Sequence, residues 1–187
     1  MYADPATAEV AGLFLNPSLV KTVEDWGCGR GGFADFLDKK QTYVGVDGSK
    51  SPFADKIADL TGYTSKIEAI HMRHVLEHNP EWKKILCNAL KSFNKYMVLT
   101  IFTPYQNKTK IINEYDNFNN TGISMCDIGF SREDIVECFG EIPFFAIENL
   151  TTDSQYNIEH MFFLSKIEDH SFLDEKATSA FDIVGGR

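Results

Sequence analysis

Short, mainly apolar runs recur along the chain, separated by polar or glycine-containing segments. Apolar runs of about 4–8 residues are typical of strands buried on both faces of a sheet. Such runs occupy residues 19–26, 42–47, 67–72 and 96–102. They predict four buried strands in the first part of the chain.

Helical patterns lie between and before these runs. Residues 6–14 form one candidate helix, and residues 82–93 place apolar side chains at i, i+3 and i+4 spacing, which indicates a helix packed on a core. Ser131, followed by acidic residues, predicts the start of a third helix that runs to residue 139. Two last strands are predicted in 143–149 and 158–165, and because no helical pattern separates them we expect an antiparallel hairpin.

A glycine-rich turn follows the first predicted strand. Residues 23–33 read VEDWGCGRGGF, so an acid is followed by three alternating glycines and then by a predicted helix over residues 31–39. Glycine tolerates positive φ and lets backbone N–H groups approach a ligand, and a helix start favours negative charge. The segment therefore predicts a ligand-binding turn.

The order Asp25, Gly27, Gly29, Gly31 resembles motif I of the class I S-adenosylmethionine-dependent methyltransferases. Further resemblances follow at the expected distances: an acid after the second strand, residues 56–60 as a short third strand, and the segment HVLEH after the fourth. The resemblance covers about residues 10–166. It implies S-adenosylmethionine as the cofactor, with contacts from Asp25, Gly27, Cys28, Gly29, Gly31, Asp47, Gly48, Asp59, Leu60, Arg73 and His74.

Three of these residues have specific expected roles. Asp47, at the carboxyl end of the second strand, is expected to accept both ribose hydroxyls, because ligands of open α/β sheets bind at those ends. Asp59 is expected to accept from the adenine amino group, and Leu60 to pack on the ring.

The resemblance also implies a fold. We expect an α/β protein with a Rossmann-like, doubly wound sheet of seven strands, mostly parallel and ending in a C-terminal antiparallel hairpin. The methyltransferase domain is expected to span residues 1–166, leaving a C-terminal tail in 167–187. The long connection in residues 105–129 is expected to close over the acceptor as a mobile lid.

Two other functions fit part of the pattern. Gly27, Gly29 and Gly32 also satisfy Gly-x-Gly-x-x-Gly, with Asp47 at the separation of a ribose-binding acid, so an NAD(P)-binding oxidoreductase is an alternative. The chain has no Tyr-x-x-x-Lys pair for a short-chain dehydrogenase. A non-catalytic S-adenosylmethionine-binding subunit is the other alternative.

Candidate catalytic residues lie after the fourth strand. His78 and His74 are the candidate general bases for an acceptor that reacts poorly while protonated. His74, Glu77 and His78 also resemble the Glu-x-x-Glu-His metal site of some 2′-O- and catechol-type methyltransferases. This metal-assisted alternative needs a fourth ligand, for which Asp127 or Cys126 are candidates, and its donors suit a transition metal. The favoured expectation is a site without metal.

The composition of the chain limits which acceptors and binding partners are expected. The chain of 187 residues carries a formal net charge of −9, which makes nucleic acid an unlikely acceptor because such binding depends on phosphate neutralisation. We expect a small-molecule acceptor, no membrane insertion and a possible homodimer. The four cysteines have no Cys-x-x-Cys spacing, so a reducing, cytoplasmic setting is expected.

Overall fold

The structure is a computed structural model that describes residues 6–116 and 124–167. The helices of the described chain are α1 (Ala6–Phe14), α2 (Trp82–Ser92) and α3 (Arg132–Phe139), with short 3₁₀ helices at Gly32–Phe36 and Leu76–His78. The strands are β1 (Thr22–Trp26), β2 (Thr42–Asp47), β3 (Lys56–Ile57), β4 (Ile67–Arg73), β5 (Phe93–Ile101), β6 (Lys110–Tyr115), β7 (Met125–Gly129), β8 (Phe144–Leu150) and β9 (Glu159–Ser165).

Seven strands form one sheet in the order β3-β2-β1-β4-β5-β9-β8. The first five of these are parallel, while β9 is antiparallel to both β5 and β8. The predicted Rossmann-like sheet with an antiparallel hairpin is confirmed. Because β9 runs against β5, its first residues lie at the carboxyl end of the parallel strands.

Side chains alternate between the two faces of the central strands, and each face has its own core. Met97 and Leu99 of β5 join the core that α2 and α3 cover. Tyr96 and Val98 point to the opposite face, where they join the apolar side of α1. Strands buried on both faces explain why their sequences are nearly continuous apolar runs.

The predicted helix over residues 31–39 is wrong in type and length. The chain there forms the 3₁₀ helix Gly32–Phe36, whose end is marked by a hydrogen bond from Leu37 N to Ala34 O. Two consecutive glycines at its start are poor helix formers, and the side chain of Phe33 is drawn into the core, where it stacks on His71 with 3.6 Å between ring centroids. This face of the sheet is therefore covered by α1 and one short turn.

The long connection in residues 105–129 contains regular structure. Strands β6 and β7 pair antiparallel, and Cys126 and Ile128 of β7 belong to the main core. Residues 117–123 lie outside the described part, so the expected mobility of the segment stays a prediction. Residues 168–187, most of the predicted tail, also lie outside it. No helix in the described ranges is both long enough and apolar enough to cross a membrane.

Candidate active site

The glycine turn after β1 has the backbone that its sequence predicts. Gly27, Gly29 and Gly31 adopt φ values of 76°, 53° and 68°, in the left-handed region. At Gly27 the space is also limiting, because a Cβ atom would lie 2.2 Å from Cγ2 of Val75. Any larger residue would therefore push against the segment that follows β4.

Asp47 holds this turn against the end of β2. Its Oδ2 accepts a hydrogen bond from the backbone N–H of Gly29 at 2.8 Å, and its Oδ1 accepts from both the backbone N–H and the hydroxyl of Ser49 at 2.7 Å. The carboxylate therefore links the glycine turn to the strand end where a ribose is expected.

Two adjoining clefts open at the carboxyl ends of the parallel strands, and Gly27 and His74 line both of them. The first, of about 390 Å³, is lined by Gly27, Asp47, Gly48, Asp59, Leu60, His74, Val75, His78 and Asn79. The second, of about 510 Å³, is lined by Gly27, Cys28, Gly29, Arg30, Gly32, Arg73 and His74. Of the predicted cofactor residues, Asp25 and Gly31 alone lie outside both linings. The structure thus brings the others together, while their contact with a cofactor stays a prediction.

Asp25 lies beneath the turn. Its side chain is buried and accepts hydrogen bonds from the hydroxyl of Tyr43 at 2.9 Å and from His71 Nδ1 at 2.7 Å. Since both carboxylate oxygens are engaged with protein groups, the geometry favours a role in supporting the turn over the predicted contact with the cofactor.

His74 has the left-handed conformation, with φ of 58°, which is strained for a residue with a side chain. Its Nε2 lies 2.5 Å from Oε1 of Glu159, the first residue of β9, and Arg73 Nη2 lies 2.7 Å from the same oxygen. Burial lowers the pKa of His74, against the opposing effect of the Glu159 carboxylate. His74 is thus held by a hydrogen bond to Glu159, whose carboxylate also forms a buried ion pair with Arg73, and one ring nitrogen of His74 is taken up.

His78 also lines the first cleft but is held from another side. Its Nδ1 lies 3.1 Å from the carbonyl oxygen of Cys126 and 3.2 Å from Oδ1 of Asp127, both on β7. About a quarter of its side chain is exposed. The rings of His74 and His78 both pack against Phe102, at centroid distances of 4.6 Å and 5.5 Å.

Glu77 lies outside both cleft linings. It is fully buried, and its Oε1 accepts a hydrogen bond from the backbone N–H of Phe102 at 2.6 Å. Burial, with smaller contributions from the charges of Glu159 and Asp127, raises its pKa to about 8. No three His, Cys, Asp or Glu side chains of the described residues are arranged to hold a metal ion. The metal-site alternative of His74, Glu77 and His78 therefore has no support in this geometry.

The sequence analysis did not find Glu159, which contacts His74, or Tyr156, whose hydroxyl donates to Oδ2 of Asp127. Glu159 reaches the site because β9 pairs antiparallel with β5, in a register that sets His160 opposite Ile101. The predicted hairpin implied the position of Glu159, because a last strand that runs antiparallel to β5 begins at the carboxyl ends of the parallel strands. Tyr156 lies in the connection between β8 and β9, and nothing in its sequence pattern marked it.

This sheet order, with a glycine turn after β1 and acids at the ends of β2 and β3, is a Rossmann-like α/β fold with a cleft at the carboxyl ends of its parallel strands. The family described as "Methyltransferase domain" matches residues 4–142, and the chain belongs to that family. The prediction of a methyltransferase is confirmed, and the family match decides against the NAD(P)-binding oxidoreductase alternative. No curated protein matches the chain in sequence.

Solved structures with bound S-adenosylhomocysteine (SAH) share the fold. The N-terminal domain of EvdMO1 with SAH bound is 14% identical and has a TM-score of 0.60, over 87% of this chain and 80% of that one. Magnesium protoporphyrin IX methyltransferase (ChlM) from Synechocystis PCC 6803 with bound SAH is 15% identical with a TM-score of 0.60, over 86% and 82%. Burkholderia thailandensis 1,6-didemethyltoxoflavin-N1-methyltransferase, with its acceptor and S-adenosylhomocysteine, is 13% identical with a TM-score of 0.62, over 89% and 80%.

Proposed function

We propose that this chain transfers the methyl group of S-adenosylmethionine to a small-molecule acceptor. The observation that carries the proposal is the pair of adjoining clefts at the carboxyl ends of β1, β2 and β4, which are lined by most of the residues predicted to contact the cofactor. The family membership and the ligands named for the similar structures support the same cofactor.

The residues that line the clefts suit this cofactor in their donor and acceptor chemistry. The two clefts meet at Gly27, where the absence of a side chain lets the turn pack directly against Val75. Asp47 would accept from the ribose hydroxyls, while Asp59 and Leu60 would border the adenine. Arg73 and the glycine turn line the second cleft, where they would hold the amino-acid end.

When bound, S-adenosylmethionine would supply an electrophilic methyl carbon on a sulfonium: the acceptor lone pair would bond to this carbon while the carbon–sulfur bond breaks, and S-adenosylhomocysteine would leave as a neutral thioether. The protein's part is to align the acceptor in the cleft and to receive its proton. We assign the base role to His78 rather than to His74. Nε2 of His74 is taken up by Glu159, and burial lowers the pKa of this imidazole, which makes it a weaker base. Nε2 of His78 has no hydrogen-bond partner among the described residues, and His78 lines the first cleft.

A hydroxyl, carboxylate or amine is the expected acceptor group. Two of the similar structures are named as methyltransferases of small molecules, and the net charge of −9 disfavours a polyanion. All four cysteines are free, which supports the expected reducing, cytoplasmic setting. The possible homodimer stays a prediction.

A transfer assay with S-adenosylmethionine labelled in its methyl group tests the proposal. The protein is incubated with a metabolite extract, with total RNA and with a protein lysate, and Asp47→Ala serves as the inactive control. We expect label in the metabolite fraction with the wild type alone. Label confined to RNA or protein would contradict the small-molecule acceptor, and binding of S-adenosylhomocysteine without transfer to any fraction would favour a non-catalytic subunit.

A further inference from the structure

Asp127 is a buried carboxylate with an unusual set of partners. Its side chain is fully buried, and its Oδ2 accepts hydrogen bonds from the hydroxyls of Tyr115 at 2.7 Å and Tyr156 at 2.8 Å and from Nε2 of Gln155 at 3.1 Å. All three partners are donating, which is the arrangement an ionised carboxylate requires. The Asp127 carboxylate is therefore fixed by three donors, next to the candidate active site.

The other oxygen of this carboxylate faces His78. Oδ1 lies 3.2 Å from Nδ1 of His78 and has no hydrogen-bond partner among the described residues. A buried charged oxygen without a partner is costly, so the approach of an N–H group to it is favourable. The Oδ1 atom is thus directed at one specific atom of the histidine that lines the first cleft.

The backbone beside Asp127 fixes which ring nitrogen carries the proton. Nδ1 of His78 also lies 3.1 Å from the carbonyl oxygen of Cys126. A carbonyl oxygen can only accept, and the Asp127 carboxylate can only accept, so Nδ1 must be the protonated nitrogen. In the neutral ring Nε2 then keeps its lone pair, and it lies on the opposite side of the ring from β7.

We propose that Asp127 is a positioning residue for His78: together with the carbonyl oxygen of Cys126 it holds the imidazole in the Nδ1–H tautomer, so that Nε2 is left as the proton acceptor at the cleft. The inference rests on the proposed function for its catalytic meaning, since a base is needed only if the protein transfers a methyl group. The tautomer itself is a property of the folded protein and can be measured without an acceptor.

An Asp127→Asn variant tests the proposal. The amide keeps one acceptor oxygen for the tyrosine hydroxyls, but it turns an NH₂ group toward Nδ1 of His78, which favours Nδ1 as acceptor and Nε2 as donor. Asp153→Asn is the matched control, because Asp153 is an exposed aspartate in the same connection between β8 and β9 as Tyr156. A purely structural Asp127 would alter stability and leave the tautomer unchanged.

The measurement is a long-range ¹H–¹⁵N spectrum of protein labelled at histidine, saturated with S-adenosylhomocysteine at a pH where the imidazoles are neutral. The signals of His78, one of five histidines, are assigned with a His78→Gln variant. We expect the Nδ1–H tautomer in the wild type and in Asp153→Asn, and a larger share of the Nε2–H tautomer in Asp127→Asn, where the amide NH₂ opposes Nδ1–H while the Cys126 carbonyl still accepts from it. A wild type in the Nε2–H form, or an Asp127→Asn variant with the wild-type share of the Nδ1–H form, would overturn the proposal.

A second variant covers the case in which Asp127→Asn does not fold. Tyr156→Phe removes one hydroxyl donor from Asp127 and keeps the ring, which leaves more negative charge for the Nδ1–H of His78. We expect the Nδ1–H proton resonance to move downfield, and an unmoved resonance would contradict the proposal. Calorimetry with S-adenosylhomocysteine on the same samples reports the cofactor site separately. Loss of S-adenosylhomocysteine binding in the wild type would contradict the proposed function, whereas an unexpected tautomer of His78 would contradict the role of Asp127.

Discussion

Buried carboxylates lower the stability of a folded protein unless they are hydrogen-bonded, and those of this domain differ in the number and kind of their hydrogen-bond donors. Glu24 on β1 accepts hydrogen bonds from the side chains of Trp26, Lys56, Tyr63 and Ser65, and these bonds hold its pKa low although burial acts to raise it. Glu77 has only backbone N–H donors among the described residues, those of Phe102 and of Glu77 itself. A fully buried carboxyl group with neutral donors alone is stable in its protonated form.

This difference predicts a pH-dependent stability. The pKa of Glu77 is about 8 in the folded protein against an ordinary value of 4.5. Below about pH 4.5 the Glu77 carboxyl group is protonated in both the folded and the unfolded state. Above that pH the unfolded chain loses this proton first, so the free energy of unfolding falls as pH rises, by up to about 1.4 kcal/mol per pH unit. Above the folded pKa the free energy of unfolding levels off. Glu77→Gln, which keeps the acceptor for Phe102, should remove this contribution.

Urea unfolding of the wild type and of Glu77→Gln measures this pH dependence of the free energy of unfolding. The measurements run from pH 4 to pH 9 in steps of about 1 pH unit. We expect the stability of Glu77→Gln relative to the wild type to increase steadily across the interval and then to reach a plateau. Glu137→Gln, on the exposed side of α3, is the control and should follow the wild type at every pH. A difference that does not change with pH would show that Glu77 is ionised in the folded protein as it is in the unfolded chain.

At the scale of elements, the turn after β1 and the segment after β4 are fitted to each other. Gly27 and Val75 approach so closely that one added carbon would overlap. Both residues line the first cleft, so the fit between them also shapes the site.

Gly27→Ala is therefore expected to damage the site more than the fold. The added Cβ meets Val75 and the φ of 76° is strained, so the turn must move and affinity for S-adenosylhomocysteine should fall by about tenfold or more. Gly140→Ala is the control: its φ of 60° is also positive, but its Cβ would meet no atom within 4 Å and it lines neither cleft.

Isothermal calorimetry and urea unfolding of the two variants separate these effects. We expect both to lose stability, while Gly140→Ala keeps wild-type affinity. Equal affinity in Gly27→Ala and the wild type would mean that the turn does not border the cofactor.

The elements that the sequence predicts correctly are those set by local patterns. The central strands, the helices α1, α2 and α3 and the final hairpin follow from apolar runs, an i, i+3, i+4 stripe and the Ser131 cap, whose side chain accepts from Asp134 N. The segment after Gly31 was wrongly predicted because its conformation depends on the packing of Phe33 against His71, which are far apart in sequence. Strands β6 and β7 were missed because their residues show no clean alternation.

The same distinction holds for the site. Gly27, Asp47 and Asp59 follow strands whose carboxyl ends share one edge, so their meeting could be predicted from topology. Glu159 and Asp127 contact His74 and His78 across separations of 85 and 49 residues, through the register of β9 and the position of β7. Such contacts have no periodic signature in one sequence.

At the scale of the whole molecule, one edge of the sheet gathers the functional groups. The parallel strands deliver the glycine turn, Asp47 and the two histidines to this edge, and the antiparallel strand β9 brings Glu159 to it from the opposite direction. This convergence supports the proposed cofactor site at this edge, and the family membership indicates a methyl donor rather than a nicotinamide.

Calorimetric titration of the wild-type protein with S-adenosylhomocysteine and, separately, with NADH tests this claim most directly. We predict saturable one-to-one binding of S-adenosylhomocysteine to the wild type and loss of that binding in Asp47→Ala. We also predict that S-adenosylhomocysteine raises the melting temperature of the wild type. Stronger binding of NADH than of S-adenosylhomocysteine would contradict it.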